Sequence, residues 1–293
     1  MKPAPFKYAA PRTLDEALRL KAEHGDEAFF IAGGQSLVPA MNFRLARPRV
    51  LIDINGVAGL ERIEVGADGA LALGALVRQR HLEFDAVIAE HQPLVSETAP
   101  NVAHAQIRNR GTLCGSLAHA DPASEMPAVM LALAARLHLQ STSSDRWVNA
   151  MHFFLGVYMT ARAPDEMVVG VAIPALAPRT GTRFIEVSRR PGDFAMMGVA
   201  AMVTVDESGK CTRACLAYCG AGETPMAATK AAQSLIGGRL DEPRISAAAA
   251  LAHDEVAPTG NVHASARYQR HLAGVLTRRA LQDAAHRATA GLR

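Results

Sequence analysis

Residues 29–45 read FFIAGGQSLVPAMNFRL. Phe29, Phe30, Ile31 and Ala32 run into Gly33-Gly34, then Gln35-Ser36, and then an apolar run resumes. A buried strand that ends on paired glycines and small hydrogen-bonding side chains marks a place where backbone must come close to something. Upstream, TLDEALRLK at 13–21 opens with a capping Thr13 and carries Glu16 three residues later. It sets Leu14, Ala17 and Leu18 on one face, which predicts a helix. Downstream, VLIDI at 50–54 predicts a second strand, and 61–76 predicts a hairpin turning at Ala67-Asp68-Gly69. Met126 to Leu139 predicts a strongly apolar helix, entered after Pro122 with Asp121 as its N-terminal cap. Such strand–helix–strand alternation implies an α/β or α+β domain.

Periodicity stops at 173–181, IPALAPRTG, where Pro174, Pro178 and Gly181 interrupt it. That break divides the chain into a domain over 1–177, with subdomains of about 1–56 and 57–177, and a smaller C-terminal domain over 178–293. Strands are expected at 183–188, 196–205 and 211–219. A closing helix over 265–287 carries Tyr268, Leu272, Val275, Leu276 and Leu281 as an apolar stripe, with Arg270, Arg278 and Arg279 solvated.

The 293 residues are 49% hydrophobic and 20% charged, ordinary values for a globular protein with a real core. A net charge of +3, from 31 basic and 28 acidic residues, is too slight to argue for a nucleic-acid partner. The longest apolar stretch is about a dozen residues where a membrane span needs about 20, and no signal-peptide core opens the chain. A cytoplasmic protein without a membrane span is expected. The four cysteines do not suggest a disulfide framework. Cys211, Cys215 and Cys219 are evenly spaced, but KCTRACLAYC reads as a strand with the three on one face. At ~3.3 Å per residue the outer two stand roughly 26 Å apart, beyond any one cluster. Packing is the expected role, and neither His104 nor His119 has a metal-ligand partner at useful spacing.

A second glycine-bearing loop lies in QIRNRGTLCGSLAHADPASEMP, 106–127. Gly111, Thr112, Gly115 and Ser116 repeat the combination of small residues and hydroxyls and lead into a helix, whose N-terminal amides favour negative charge. Two such loops together could enclose a diphosphate, with Ser36, Thr112 and Ser116 as added donors. There is no G-x-G-x-x-G after a strand, no P-loop and no G-x-S-x-G elbow, so neither a Rossmann site nor the simplest hydrolase is in view. From the residues alone, Glu125 is a first-turn carboxylate that complements a helix dipole.

IAGGQSL at 31–37 and TLCGSLAHADPASEMPA at 112–128 resemble the two flavin-binding signatures of the FAD-carrying medium subunits of molybdenum hydroxylases, the xanthine dehydrogenase and carbon monoxide dehydrogenase relatives. The similarity extends to LARPRVLIDI at 45–54, QIRNRGT at 106–112, RRPGDFAM at 189–196 and YQRHLAGVLTRRAL at 268–281, nearly the whole chain. The resemblance implies an α+β chain with an FAD-binding fold of the vanillyl-alcohol-oxidase type, two α/β subdomains followed by a smaller C-terminal α+β domain of antiparallel strands and helices. It implies that Ile31, Ala32, Gly33, Gly34, Gln35, Ser36 and Leu37, with Thr112, Cys114, Gly115 and Ser116, wrap the FAD diphosphate. Glu125 would accept hydrogen bonds from the ribityl hydroxyls, Val102, Ala103 and Val168 would line the cofactor, and Phe194 would shield one flavin face.

The implied function is an electron-transfer subunit. A large partner subunit would carry molybdopterin and oxidise substrate, and a small one would pass electrons through two [2Fe–2S] clusters to this FAD, then to an external acceptor. A dimer of heterotrimers is the implied assembly, with no catalytic acid or base and no metal ligand in this chain. A self-contained flavin oxidoreductase and a non-catalytic nucleotide-binding assembly protein are the competing readings. Substrate and acceptor stay open, because substrate would meet the large subunit. The chain departs from the family at Cys114, where relatives have glycine, at Gln35, where they often have His or Asn, and at Glu186, where many carry a flavin-contacting lysine.

Overall fold

The structure is a computed structural model describing residues 2–290. The N-terminal unit is a three-stranded parallel sheet of β1 (Lys7–Ala9), β2 (Ala28–Ile31) and β3 (Val50–Asp53), in the order β1-β3-β2. Helix α1 (Leu14–His24) crosses between the first two strands. Thr13 Oγ1 accepts from the Glu16 amide, while the Glu16 carboxylate accepts from the Arg12 amide. At its far end Lys21 is buried and donates to the carbonyls of Gly25 and Ala28. Helix α2 (Leu37–Asn42) follows β2 directly, so the Gly-Gly stretch is the strand-to-helix turn.

The second unit is a five-stranded antiparallel sheet in the order β4-β5-β10-β6-β7. Its strands are β4 (Ile63–Val65), β5 (Leu71–Gly74), β6 (Arg136–Gln140), β7 (Asp145–Asn149) and β10 (Met167–Ile173). A small hairpin of β8 (Phe154–Gly156) and β9 (Met159–Thr160) precedes β10. The helices inserted between β5 and β6 are α3 (Gln79–Phe84), α4 (Ala86–His91), α5 (Pro93–Thr98), α6 (Ala105–Arg108), α7 (Leu113–His119) and α8 (Glu125–Ala132).

The third sheet is antiparallel, β11 (Thr180–Ser188), β12 (Ala195–Val205), β13 (Cys211–Cys219) and β14 (Met226–Ala227) in that order. Helices α9 (Thr229–Leu235), α10 (Glu242–Glu255) and α11 (Ala266–Thr289) cover one face. Helices α5 and α8 of the second unit cover the other. Strand β12, AMMGVAAMVTV, is therefore apolar almost throughout, as a strand buried on both faces must be. Met197, Val199, Ala201 and Val203 face the closing helices, while Ala195, Ala200 and Met202 join the core shared with the first two units. Glu97 on α5 ties the same seam: it accepts from Arg183 Nη1 at 2.7 Å, from the Phe184 amide at 3.2 Å and from Arg287 on α11.

Four expectations need correction. The helix predicted over Met126–Leu139 ends at Ala132, and residues from Arg136 form β6. The chain reverses through Ala134 at φ +52, a left-handed residue that is not glycine, so the sequence carries no stop signal there. Asp121 does not cap that helix. Its carboxylate accepts from the Ala123 amide in the preceding turn, and Ser124 occupies the N-cap position. Cys211, Cys215 and Cys219 do not share a face. The pairing slips between Thr204–Arg213 and Val205–Cys211, and this bulge turns Cys211 to the helix side while Cys215 and Cys219 face the shared core. On α11, Tyr268 is exposed and Gln269 is buried instead, because its amide nitrogen donates to the carbonyls of Met196 and Gly220.

Candidate functional site

The first glycine loop and the second touch through backbone. Gly33 sits so close to Arg110 and Gly111 that a Cβ on it would stand 2.4 Å from the Arg110 carbonyl oxygen and 2.7 Å from the Gly111 Cα. Gly34 has φ +71, the left-handed region that glycine enters without strain. Its carbonyl accepts from the Val38 amide and the Ser36 carbonyl from the Ala40 amide, starting α2. Gln35 folds its amide nitrogen back to the Gly33 carbonyl at 2.8 Å. Among the described residues, no protein acceptor takes up the backbone N–H groups of Gly33, Gly34, Gln35 or Ser36. A run of free amides around a left-handed glycine is an anion-binding concavity.

The second loop is a helix start. Thr112 is the N-cap of α7, and its Oγ1 accepts from the Gly115 amide at 3.0 Å. Thr112 is therefore committed to the helix, while Gly115 is exposed and Ser116 half-buried on the open side. Cys114 lies inside the first turn, with φ outside the left-handed region. Its side chain is buried, 3.9 Å from the Gly74 carbonyl, and burial pushes its thiol up to about 12. Only its backbone can face a ligand.

One polar network holds the two loops together. Asn55 Nδ2 donates to the Ala32 carbonyl at 2.9 Å, and Asn55 Oδ1 accepts from Arg78 Nη2 at 2.6 Å. Arg78 Nη1 then donates to the Arg110 carbonyl, the same oxygen that Gly33 abuts. Asp53 accepts from the Asn55 amides and from the Tyr8 hydroxyl, which sets the orientation of Asn55. Sequence reading missed Asn55 and Arg78. Their partners lie 23 and 32 residues away, and no periodicity or motif spacing marks them.

The remaining expected residues form two further groups. Val102 is buried and Ala103 has φ +46, in a turn whose carbonyls converge on the Arg108 guanidinium. Gly192, φ +87, packs on this turn, since a Cβ there would lie 2.3 Å from His104 Nδ1 and 2.9 Å from the Ala103 carbonyl oxygen. The 189–194 loop thereby reaches the Val102–Ala103 turn, with Phe194 64% exposed at its end. Val168 is buried beside a β-bulge on β10, the strand on which α7 packs. Glu125 is the first residue of α8 and only 4% exposed. Burial pushes its carboxyl up to about 7, partly opposed by its own backbone N–H, with Asp121 adding to the rise. Glu186 lies on β11 at the same seam, and burial followed by the charge of Glu125 pushes it up to about 8.

The free amides of the glycine cradle can take an anion, and the buried Glu125 carboxylate, which among the described residues only its own backbone N–H reaches, can accept from hydroxyl donors. Comparison with known proteins gives the family. Residues 4–176 match the FAD binding domain in molybdopterin dehydrogenase, and residues 182–284 match the CO dehydrogenase flavoprotein C-terminal domain. The chain is 43% identical to the 6-hydroxypseudooxynicotine dehydrogenase complex subunit alpha of Paenarthrobacter nicotinovorans, over 98% of this chain and 97% of that one. It is 35% identical to the carbon monoxide dehydrogenase medium chain of Afipia carboxidovorans, over 98% and 99%. Among solved structures, carbon monoxide dehydrogenase from Hydrogenophaga pseudoflava superposes with TM-score 0.95 at 33% identity, covering 98% of this chain and 99% of that one. Quinoline 2-oxidoreductase from Pseudomonas putida 86 superposes with TM-score 0.93 at 36% identity, over 98% and 99%.

The chain belongs to the FAD-binding medium-subunit family of molybdenum hydroxylases. It is an oxidoreductase subunit with FAD as its cofactor, as the resemblance in its two loops implied.

Proposed function

We propose that this chain is the electron-transfer subunit of a three-component molybdenum hydroxylase, taking electrons from [2Fe–2S] clusters on a small subunit and delivering them to an external acceptor. Bound FAD supplies the redox chemistry, and the protein supplies position and electrostatics. The observation that carries the reading is the backbone contact of Gly33 with Arg110–Gly111, which closes two loops around one set of free amides. On this reading the free amides of Gly33 to Ser36, with the Cys114 amide and the Ser116 hydroxyl at the open side of Gly115, hold the diphosphate. Glu125 takes the ribityl hydroxyls, Val102, Ala103 and Val168 line the site, and Phe194 covers the flavin ring.

The chain divides at about residue 177 on the same reading, supported by the all-coil stretch between β10 and β11. Substrate oxidation falls to a large molybdopterin subunit, and the assembly is a dimer of heterotrimers. Support comes from the relatives, which are named as subunits or medium chains of dehydrogenase and hydroxylase complexes. No described helix is long and apolar enough to cross a membrane, and four free thiols fit a reducing, cytoplasmic compartment.

Native copurification with metal and flavin analysis tests the division of labour. Molybdenum, iron and flavin in a ratio of about 1:4:1 are expected from one molybdenum centre, two [2Fe–2S] clusters and one flavin. Flavin recovered without molybdenum or iron partners, together with substrate turnover by the chain alone, would favour a self-contained flavoenzyme.

A further inference from the structure

Three residues form one row across the third sheet. Glu186 on β11 pairs with Gly198 on β12, and Gly198 pairs with Cys219 on β13. Gly198 leaves a gap in the row: a Cβ there would lie 2.7 Å from Cys219 Sγ and 3.2 Å from Glu186 Cβ. Helix α8 packs over β12 and β13 with Glu125 at its first position, so both acids lie at this seam, near enough for the charge of Glu125 to act on Glu186. The Pro122 carbonyl, which accepts from the Gly220 amide at 2.8 Å, pins the start of α8 to the end of β13.

Neither acid is satisfied by the protein. Glu186 Oε2 is buried with no hydrogen-bond partner, and among the described residues only its own backbone N–H reaches the Glu125 carboxylate. Asp121 ahead of α8 acts on Glu125 and Glu125 acts on Glu186, while both acids act on the Cys219 thiol on β13, which burial holds protonated. None of them is a cation. A buried and a half-buried carboxylate at one seam, without a counter-charge, resist ionising together. A protonated carboxyl also has an O–H to give, which an ionised one lacks.

We propose that Glu125 and Glu186 act at the flavin site as a pair holding a single proton, Glu125 as the hydrogen-bond-accepting carboxylate and Glu186 as the neutral acid that must keep its proton for FAD to bind. The inference rests on the assignment of FAD to this site. Burial raises both acids, to about 7 for Glu125 and about 8 for Glu186, with the charge of Glu125 adding to the rise of Glu186. Hydroxyl donors arriving at Glu125 hold its charge in place, which raises Glu186 further. The values belong to the pair rather than to either residue. Only carboxyl O–H bonds exchange with water: below neutrality Glu125 gives its proton to solvent as FAD binds, and on the alkaline side Glu186 takes one from solvent.

The test is FAD affinity of the purified full chain against pH, from about pH 5.5 to 9.5, read by flavin fluorescence on wild type, Glu186→Gln and Glu125→Gln. Wild type is expected to bind best between the two limbs and to weaken by up to about tenfold per pH unit above pH 8, the slope of one linked proton. Glu186→Gln keeps a donor but cannot ionise, so it loses the alkaline limb and retains the acid one. Glu125→Gln binds more weakly overall and loses the acid limb. Calorimetry of wild type in buffers of different ionisation enthalpy gives the same answer without a variant: proton release on FAD binding near pH 6, uptake near pH 8.5. A flat wild-type profile with no proton exchange, or an alkaline limb that survives in Glu186→Gln, overturns the proton-sharing pair while leaving FAD in place. Absence of FAD binding at every pH overturns the cofactor assignment and this inference with it.

Discussion

Gly33 and Arg110 meet backbone to backbone, with no room between them for a single methyl group. A Cβ at 33 would stand 2.4 Å from the Arg110 carbonyl oxygen, so Gly33→Ala must push the loops apart. Overpacking of this kind costs about 1–3 kcal/mol. The expected outcome is a folded chain that has lost most of its FAD, checked by circular dichroism beside flavin content.

Arg78 and Asn55 hold the same junction with side chains. Replacing Arg78 with Ala leaves the Arg110 carbonyl and Asn55 Oδ1 without their donor. Loss of a hydrogen bond to a charged group is worth about 1.5–3 kcal/mol, so FAD affinity is expected to fall roughly 10- to 100-fold. Titration of the apo chain with FAD measures it. Unchanged affinity would place the network outside the binding geometry.

Cys114 separates the helix reading of the second loop from a glycine-loop reading. The residue is helical and buried, so Cys114→Gly relieves no strain. It is expected to destabilise the chain by about 1 kcal/mol through added backbone freedom, seen as a lower urea midpoint. With its thiol pushed up to about 12, Cys114 is also expected to resist alkylation in the native state at pH 8.

These positions show what could be read in advance and what could not. Thr13, Glu16 and the Gly33-Gly34 pair announce themselves because their physics is local: a cap, a turn, a strand ending in a helix. The end of α8 is hidden because Ala134 takes the left-handed turn that glycine usually marks. Cys211 reads onto the wrong face because a one-residue bulge flips every side chain beyond it, and a bulge in an apolar strand leaves no trace in composition. The two glycine loops were legible as a pair through resemblance. Asn55 and Arg78, which join them, were not, since each acts on backbone carbonyls far along the chain.

Glu97 provides a separate test of how the third sheet is held. Its carboxylate is the common acceptor for Arg183, Arg287 and the Phe184 amide, and its side chain is 21% exposed. Glu97→Ala leaves two guanidinium groups without this partner, which is expected to cost about 2 kcal/mol, below the figure for a fully buried pair because water reaches the site. Equilibrium urea unfolding reads the change, and FAD affinity is expected to move much less than in Arg78→Ala.

The acid pair also sets how the apo chain responds to pH. Both folded pKa values are raised above that of an ordinary glutamate, so the folded state prefers the protonated forms. Their stabilising effect is complete below about pH 4.5 and is lost as pH rises through about 7 for Glu125 and about 8 for Glu186. The melting temperature of the apo chain is therefore expected to fall between pH 7 and 8.5 more steeply in wild type than in Glu186→Gln. Parallel curves would show that Glu186 does not titrate in this window.

The most direct test of a double-loop FAD site is reconstitution of the purified full chain with FAD, followed by gel filtration and the absorption spectrum of the protein peak. Wild type is expected to carry stoichiometric, non-covalent flavin. Gly34→Val, which forces a β-branched residue into a φ of +71, is expected to elute folded and colourless. A wild-type chain that takes up no flavin, or a Gly34→Val chain that retains the full amount, would contradict the account.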